Sequence, residues 1–334
     1  MSTPEANGRE AKHREVLPGI HLLHLPLPMK PTIVNVYLLD GGDEWALIDT
    51  GMNSADSIAT FREVLAQLGV APEQVRKIIC THHHPDHFGT SKAYKDASGA
   101  TLYLHAAEWE RSKTFLPSDR PAEAVRFFLA HGIPLQRFAN IPRPTDIWGG
   151  LYVTTAPDVF LEDGDEIVVG NRRVQIVWTP GHAPGHCVLY LPDERAMIVG
   201  DHLLPKITPH VGFTPGSSGN PLADFLDSQR KVQRFDVEHV LPAHGGVFAD
   251  HIHRANQIIQ HHEARLRDIA DVVKRQPHTS YDVARRAFGF DSDSPLTYQF
   301  PATFETLAHL EYLRHAGAVT TDTSDDGQIL WRAV

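Results

Sequence analysis

The stretch Thr81-His-His-His-Pro-Asp-His87 follows Val75-Arg-Lys-Ile-Ile-Cys80, a run that reads as a buried strand. Four of its side chains are metal-ligand types at fixed offsets: His82, His84, Asp86 and His87. Residues two apart on an extended strand end point the same way, so His82 and His84 can meet one cation. Pro85 suits the first turn of a helix, where its missing N–H costs nothing. Asp86 and His87 therefore sit where the chain turns into a helix and aim at a neighbouring point. One short loop can thus serve two adjoining cation sites, and imidazole nitrogen with carboxylate oxygen suits borderline cations such as zinc. The chain has 22 histidines, so a plain His-rich surface loop is the competing reading. More ligand-type residues beside strand and turn signals downstream weigh against it.

The pattern H-x-H-x-D-H after a hydrophobic strand resembles the signature of the metallo-β-lactamase superfamily. That resemblance implies an α/β fold, an αββα sandwich with a mono- or dinuclear metal site at one edge. It also implies three more ligands in order. Thr179-Pro-Gly-His182 supplies the first. Gly200-Asp201-His202, after the apolar run Ala196-Met-Ile-Val199, supplies the second, and Pro242-Ala-His-Gly245 supplies the third. The match covers roughly residues 15 to 262. Carried over residue by residue, it gives His82, His84 and His182 to one metal and Asp86, His87 and His244 to the other, with Asp201 as bridge. Asp86 and Asp201 then count as catalytic as well as ligating. Two divalent ions are implied, zinc by default with iron or manganese as alternatives. Together they lower the pKa of an intervening water from near 16 to about 7 and polarise the oxygen of the group attacked.

Other residues near these motifs get milder expectations. His186 resembles a family residue that supports the loop rather than a ligand. Asp49, in Asp49-Thr-Gly51, resembles the family Asp that braces the ligand loop by hydrogen bonding; a helix N-cap or turn is the equal alternative. His83, between two ligand positions, is expected to face solvent. His202 and His210 are read as structural, with substrate contact the alternative, and Lys206 as solvated, with an anionic substrate group as its other possible partner. No G-x-S-x-G elbow, P-loop or dinucleotide fingerprint points to different chemistry.

A length of 334 residues suits one large domain or two. No apolar run approaches the ~20 residues of a membrane helix, and the N-terminus lacks a signal-peptide core. Cys80 and Cys187 make no disulfide framework; each sits in an apolar run and reads as a small buried hydrophobe. These features favour the cytoplasm. The net charge of −10 repels phosphate backbones on average.

Three parts are expected: a flexible tail over 1–14, the hydrolase domain over 15–262 with an insertion or lid at 105–157, and a C-terminal part over 263–334. Ser54–Gly69 shows helical spacing and closes on a Gly cap. In the insertion, Phe115, Phe127, Phe128, Phe138 and Trp148 form either its own packing core, the preferred reading, or a pocket wall. The C-terminal order helix–helix–hairpin resembles a winged-helix module. Its second helix carries Glu305, His309, Glu311 and Arg314, a poor face for phosphates. It is read as a packing, dimer or substrate-wall element, leaving a homodimer possible.

The expected function is hydrolysis of a small acyl ester, such as a thioester or lactone, by a metal-bridged hydroxide. A ribonuclease or phosphodiesterase of the same superfamily is the alternative; it would need a basic groove. A scaffold kept only for binding is a third reading.

Overall fold

The computed structural model describes residues 12–115, 122–134 and 144–334. Phe138 lies outside them, as does the side chain of Phe115.

Seven strands form the first sheet in chain order: β1 His13–Leu17, β2 Ile20–Pro26, β3 Ile33–Asp40, β4 Trp45–Ile48, β5 Val75–Ile79, β6 Thr101–His105 and β7 Val159–Leu161. The strand β1 starts within the stretch expected to be a tail. β1 to β4 run antiparallel, and β4 to β7 pair in parallel. The second sheet comprises β8 Glu166–Val169, β9 Arg172–Trp178, β10 Cys187–Leu191, β11 Ala196–Gly200 and β12 His239–Pro242, antiparallel except for the β11–β12 pair.

Side chains alternate across each strand, and here both faces are apolar. In β2 and β3, Ile20, Leu22, Tyr37 and Leu39 face the second sheet, while Leu23, Leu25, Val36 and Leu38 face outward. In β10 and β11, Leu189, Leu191 and Ile198 face the first sheet, while Val188, Met197 and Val199 face outward. Helices must therefore cover both outer faces. On the first sheet the cover includes α1 Ala55–Leu68, which buries Phe61, Val64 and Leu65 and is capped by Ser54 and by left-handed Gly69. Next come α2 Pro85–Phe88, α3 Ser91–Ser98, α4 Ala106–Phe115, then α5 Ala122–Ala130, which packs through Phe127 on the cluster of the second sheet, and α6 Pro144–Trp148. On the second sheet lie α7 Pro221–Val232 and α8 His251–Val273, burying Leu222, Phe225, Ala255 and Ile258. The result is the αββα order of layers.

The C-terminal elements are α9 Ser280–Phe288, α10 Leu296–His315 and the hairpin β13 Val319–Thr323 with β14 Ile329–Ala333. Val283, Leu307, Leu310, Val319 and Trp331 belong to the same apolar cluster as Val199 and Phe225, and α8 runs unbroken across residue 263. Of the aromatic side chains named in the 105–157 stretch, the three that are described, Phe127, Phe128 and Trp148, are packed. Phe127 stacks on Phe213, Phe128 on Phe304, and Trp148 lies against the core under the first sheet.

No described helix is long and apolar enough to cross a membrane. Both cysteines are free and buried, and burial pushes both thiols up, away from the reactive thiolate. The native chain should therefore leave an aromatic disulfide reagent unreacted over minutes, then release two thiols once denatured, as read by absorbance.

Candidate metal centre

Strands β5, β9, β11 and β12 all end at one edge of the sandwich, and the loops that follow carry the ligand-type residues. Asp49 ends β4 in a left-handed conformation (φ 60°). Its Oδ1 accepts the Thr81 amide at 2.7 Å, and its Oδ2 accepts His87 Nδ1–H at 2.8 Å. The Thr81 hydroxyl also lies 2.9–3.0 Å from this carboxylate. Asp49 is thus a brace for the ligand loop, the first of its two expected roles. Because the Thr81 hydroxyl has one hydrogen and gives it to Asp49, His82 Nδ1 must donate to Thr81 Oγ1, at 3.0 Å. His82 Nε2 is left with a bare lone pair.

That nitrogen lies 2.9 Å from His84 Nδ1, which lies 3.1 Å from His182 Nε2. His182 Nδ1 donates to the His210 carbonyl at 2.8 Å, so its Nε2 is bare as well. One hydrogen on His84 cannot serve two lone pairs. Burial holds His82 and His84 well below the ordinary imidazole range, and His182 below it, so these rings stay neutral and able to ligate. The donors of His82, His84, His182 and Asp201 lie within 4.8 Å of one another, and so do those of Asp86, His87 and His244.

The second group differs in charge: burial works to lower His87 and His244, but the carboxylates of Asp86 and Asp201 outweigh it and hold His87 well above, and His244 above, the ordinary imidazole range. His87 Nε2 is buried with no hydrogen-bond partner, 3.5 Å from Asp201 Oδ2. His244 donates through Nδ1 to the Ile33 carbonyl at 3.2 Å, and its Nε2 stands 3.3 Å from Asp86 and 3.5 Å from Asp201 Oδ1. Asp201 also reaches His182 at 3.7 Å, so its carboxylate touches both groups. Burial works to raise the Asp201 carboxyl, but His87 and His244 outweigh it and hold the group well below the usual carboxylate range. Buried imidazole nitrogens, bare in the first group and giving up a proton to a cation in the second, face ionised carboxylates, and together they are a donor set for cations. All seven expected residues therefore meet at one place, and they fit two metal ions.

The neighbours are set differently from expectation in one case. His83 does not face solvent. It is 4 % exposed, with its ring and main-chain N–H on Glu108 Oε2, and its carbonyl accepts the Tyr152 hydroxyl at 2.8 Å. Glu108 is fully buried, and its other oxygen takes the Gly185 amide at 2.5 Å. It ties the first ligand loop to the loop that carries His182. His186 Nε2 accepts the Asp201 amide at 3.3 Å. His202 is buried against Phe225. His210 donates through Nε2 to the Pro301 carbonyl at 3.0 Å, and Lys206 is exposed. Asn35 and Tyr37 on β3 hold the Pro242 carbonyl at 2.9 and 2.8 Å and so fix the His244 turn. Glu108, Asn35 and Tyr37 stand in no motif, and no local signal marks them.

A cleft of about 450 Å³ opens onto this centre, lined by His83, His84, His182, Trp178, His210 and Arg111 among others.

Comparison with known proteins agrees with this geometry. The profile described as the metallo-beta-lactamase superfamily matches residues 29–244. A probable metallo-hydrolase, YqjP of Bacillus subtilis, is 26 % identical over 90 % of this chain and 93 % of its own. A beta-lactamase-like protein 2 homolog of Caenorhabditis elegans is 26 % identical over 89 % of this chain and 83 % of its own. The crystal structure of the metallo-beta-lactamase family protein TTHA1429 from Thermus thermophilus superposes with a TM-score of 0.83 at 33 % identity, covering 96 % of this chain and 100 % of that one.

Removing the brace should loosen the centre without taking away any of its seven donors. Asp49→Asn is expected to lower zinc affinity by about 10–100-fold, measured by competition with a chromogenic chelator. Gly181, at φ 132°, has no room for a Cβ, which would strike the Phe225 backbone. Gly181→Ala should cost about 1–3 kcal/mol of stability in denaturant unfolding.

Proposed function

Because the chain belongs to the metallo-β-lactamase superfamily, we propose that it is a dinuclear zinc hydrolase of small acyl esters, thioesters or lactones. The observation that carries this reading is the placement of seven converging donors beside a cleft of about 450 Å³, within the range of small-molecule sites.

Bound there, two divalent ions would supply a hydroxide at neutral pH and a Lewis acid for the acyl oxygen. His82, His84 and His182 would hold one, Asp86, His87 and His244 the other, with Asp201 between. The protein's own part is positional. Asp49 and the carbonyls of Ile33 and His210 fix the tautomers of His87, His244 and His182. Glu108 keeps the two ligand loops in register. Trp178, Pro180, Ala183 and Pro184 give the cleft an apolar wall.

The cleft charge favours this reading over nuclease action. Arg111 is the one Lys or Arg among the described lining residues, and its guanidinium is engaged by the Pro215 carbonyl at 2.6 Å and Thr214 Oγ1 at 2.8 Å. Asp224 also lines the cleft. A phosphodiester strand needs the opposite balance.

Zinc-loaded enzyme should turn over members of an acyl-thioester and lactone panel but leave bis(p-nitrophenyl) phosphate and single-stranded RNA intact. Asp201→Ala should lower kcat/KM about a hundredfold or more, since several kcal/mol of stabilisation depend on the paired ions. Cleavage of RNA with inert esters would favour the nuclease reading.

A further inference from the structure

A separate group of ligand-type side chains is buried between α8 and α10. His262 of α8 faces Glu305 and His309 of α10, which are four residues apart and share a helix face. Each offers one donor atom, and the three atoms lie within 4.8 Å of one another. His309 Nδ1 donates to the Glu305 main-chain carbonyl at 2.7 Å, leaving Nε2 bare. His182 and His244 are oriented the same way, with Nδ1–H on a main-chain carbonyl, an arrangement typical of ligating imidazoles.

His309 Nε2 lies 3.1 Å from His262 Nδ1. Two imidazole nitrogens on one tetrahedral zinc stand about 3.3 Å apart, given Zn–N bonds of ~2.0–2.1 Å. A simple hydrogen bond between the rings would satisfy that pair but not the rest. His262 is fully buried, and its Nδ1 is the atom turned toward His309; its Nε2, across the ring from the cluster, has no hydrogen-bond partner and takes no part in the site. Burial pushes the Glu305 carboxyl up to about 7, although Arg265 pulls it down. Among the described residues no Lys, Arg or His forms an ion pair with that carboxylate within 4.0 Å.

We propose that His262, Glu305 and His309 form a further cation site, taking a borderline divalent ion such as zinc through two imidazole nitrogens and a carboxylate oxygen. Its role is structural. The ion pins α10 to α8, and α10 carries Pro301, whose carbonyl holds His210, whose carbonyl in turn holds His182. The site thus steadies the cleft at a distance, without touching substrate.

The test is diffraction at the zinc absorption edge from crystals of the full chain grown with zinc chloride. An anomalous peak is expected within ~2.1 Å of His309 Nε2. Peaks beside the cleft with none between α8 and α10 would overturn this site and leave the proposed hydrolase standing. A peak between the helices with none beside the cleft would do the reverse, and no peak at either place overturns both. In solution, Glu305→Gln/His309→Gln should bind one zinc fewer per chain than the wild type by mass spectrometry. Equal zinc content in a variant with an unchanged circular dichroism spectrum would count against the site.

Discussion

The buried carboxylate of Asp49 is the constraint on which the centre rests. A carboxylate taken out of water is costly unless its oxygens are bonded. Here the loop it organises supplies the bonds: the Thr81 amide and hydroxyl, and the His87 ring. Those contacts fix which nitrogen of His87 carries hydrogen and, through Thr81, which nitrogen of His82 does. Thr81 also accepts the Cys187 amide with its carbonyl at 3.0 Å, so the same residue joins the first sheet to the second. One side chain at the end of β4 therefore orients two candidate ligands and, through Thr81, joins two sheets.

The rest of the centre follows from strand direction. Parallel pairing of β4 with β5, and of β11 with β12, sends the ends of all four strands to the same edge. Between them, the β9–β10 turn delivers His182, and Gly181 lets that turn pass against Phe225. The apolar side chains packed between the sheets hold the strand ends, and so the loops that follow them, in place. Proteins only 26–33 % identical to this chain align along most of its length, as expected if the arrangement depends on layer pattern and a few donors rather than on most side chains.

The donors were legible in the sequence because their geometry is local. Two histidines two apart on a strand end, a proline opening a helix, and an Asp or His just beyond an apolar run each carry their own spacing rule. The layers were legible for the same reason, as with the helical period of Ile58, Phe61, Val64 and Leu65. What escaped is non-local. His83 looked solvent-facing because alternation turns it away from its neighbours, and nothing in the sequence says that Glu108 waits on that side. Asn35 and Tyr37 look like ordinary strand residues until the fold brings Pro242 beside them. Asp49 stood between two roles because a turn and a brace use the same residue at the same place, and only the position of Thr81 separates them.

The spread of the donors from His82 to His244 has a consequence for how the protein comes into being. A chain still emerging from the ribosome owns the first imidazoles long before it owns the last one. A fragment ending ahead of β12 already holds His82, His84, His182 and Asp201 but not His244, so capture of the second ion belongs to the close of synthesis. Until then Asp86 and His87 can only grip a cation loosely. Once His244 arrives, the ions would stitch together segments far apart in the chain and so remove from the unfolded ensemble the freedom of very long loops.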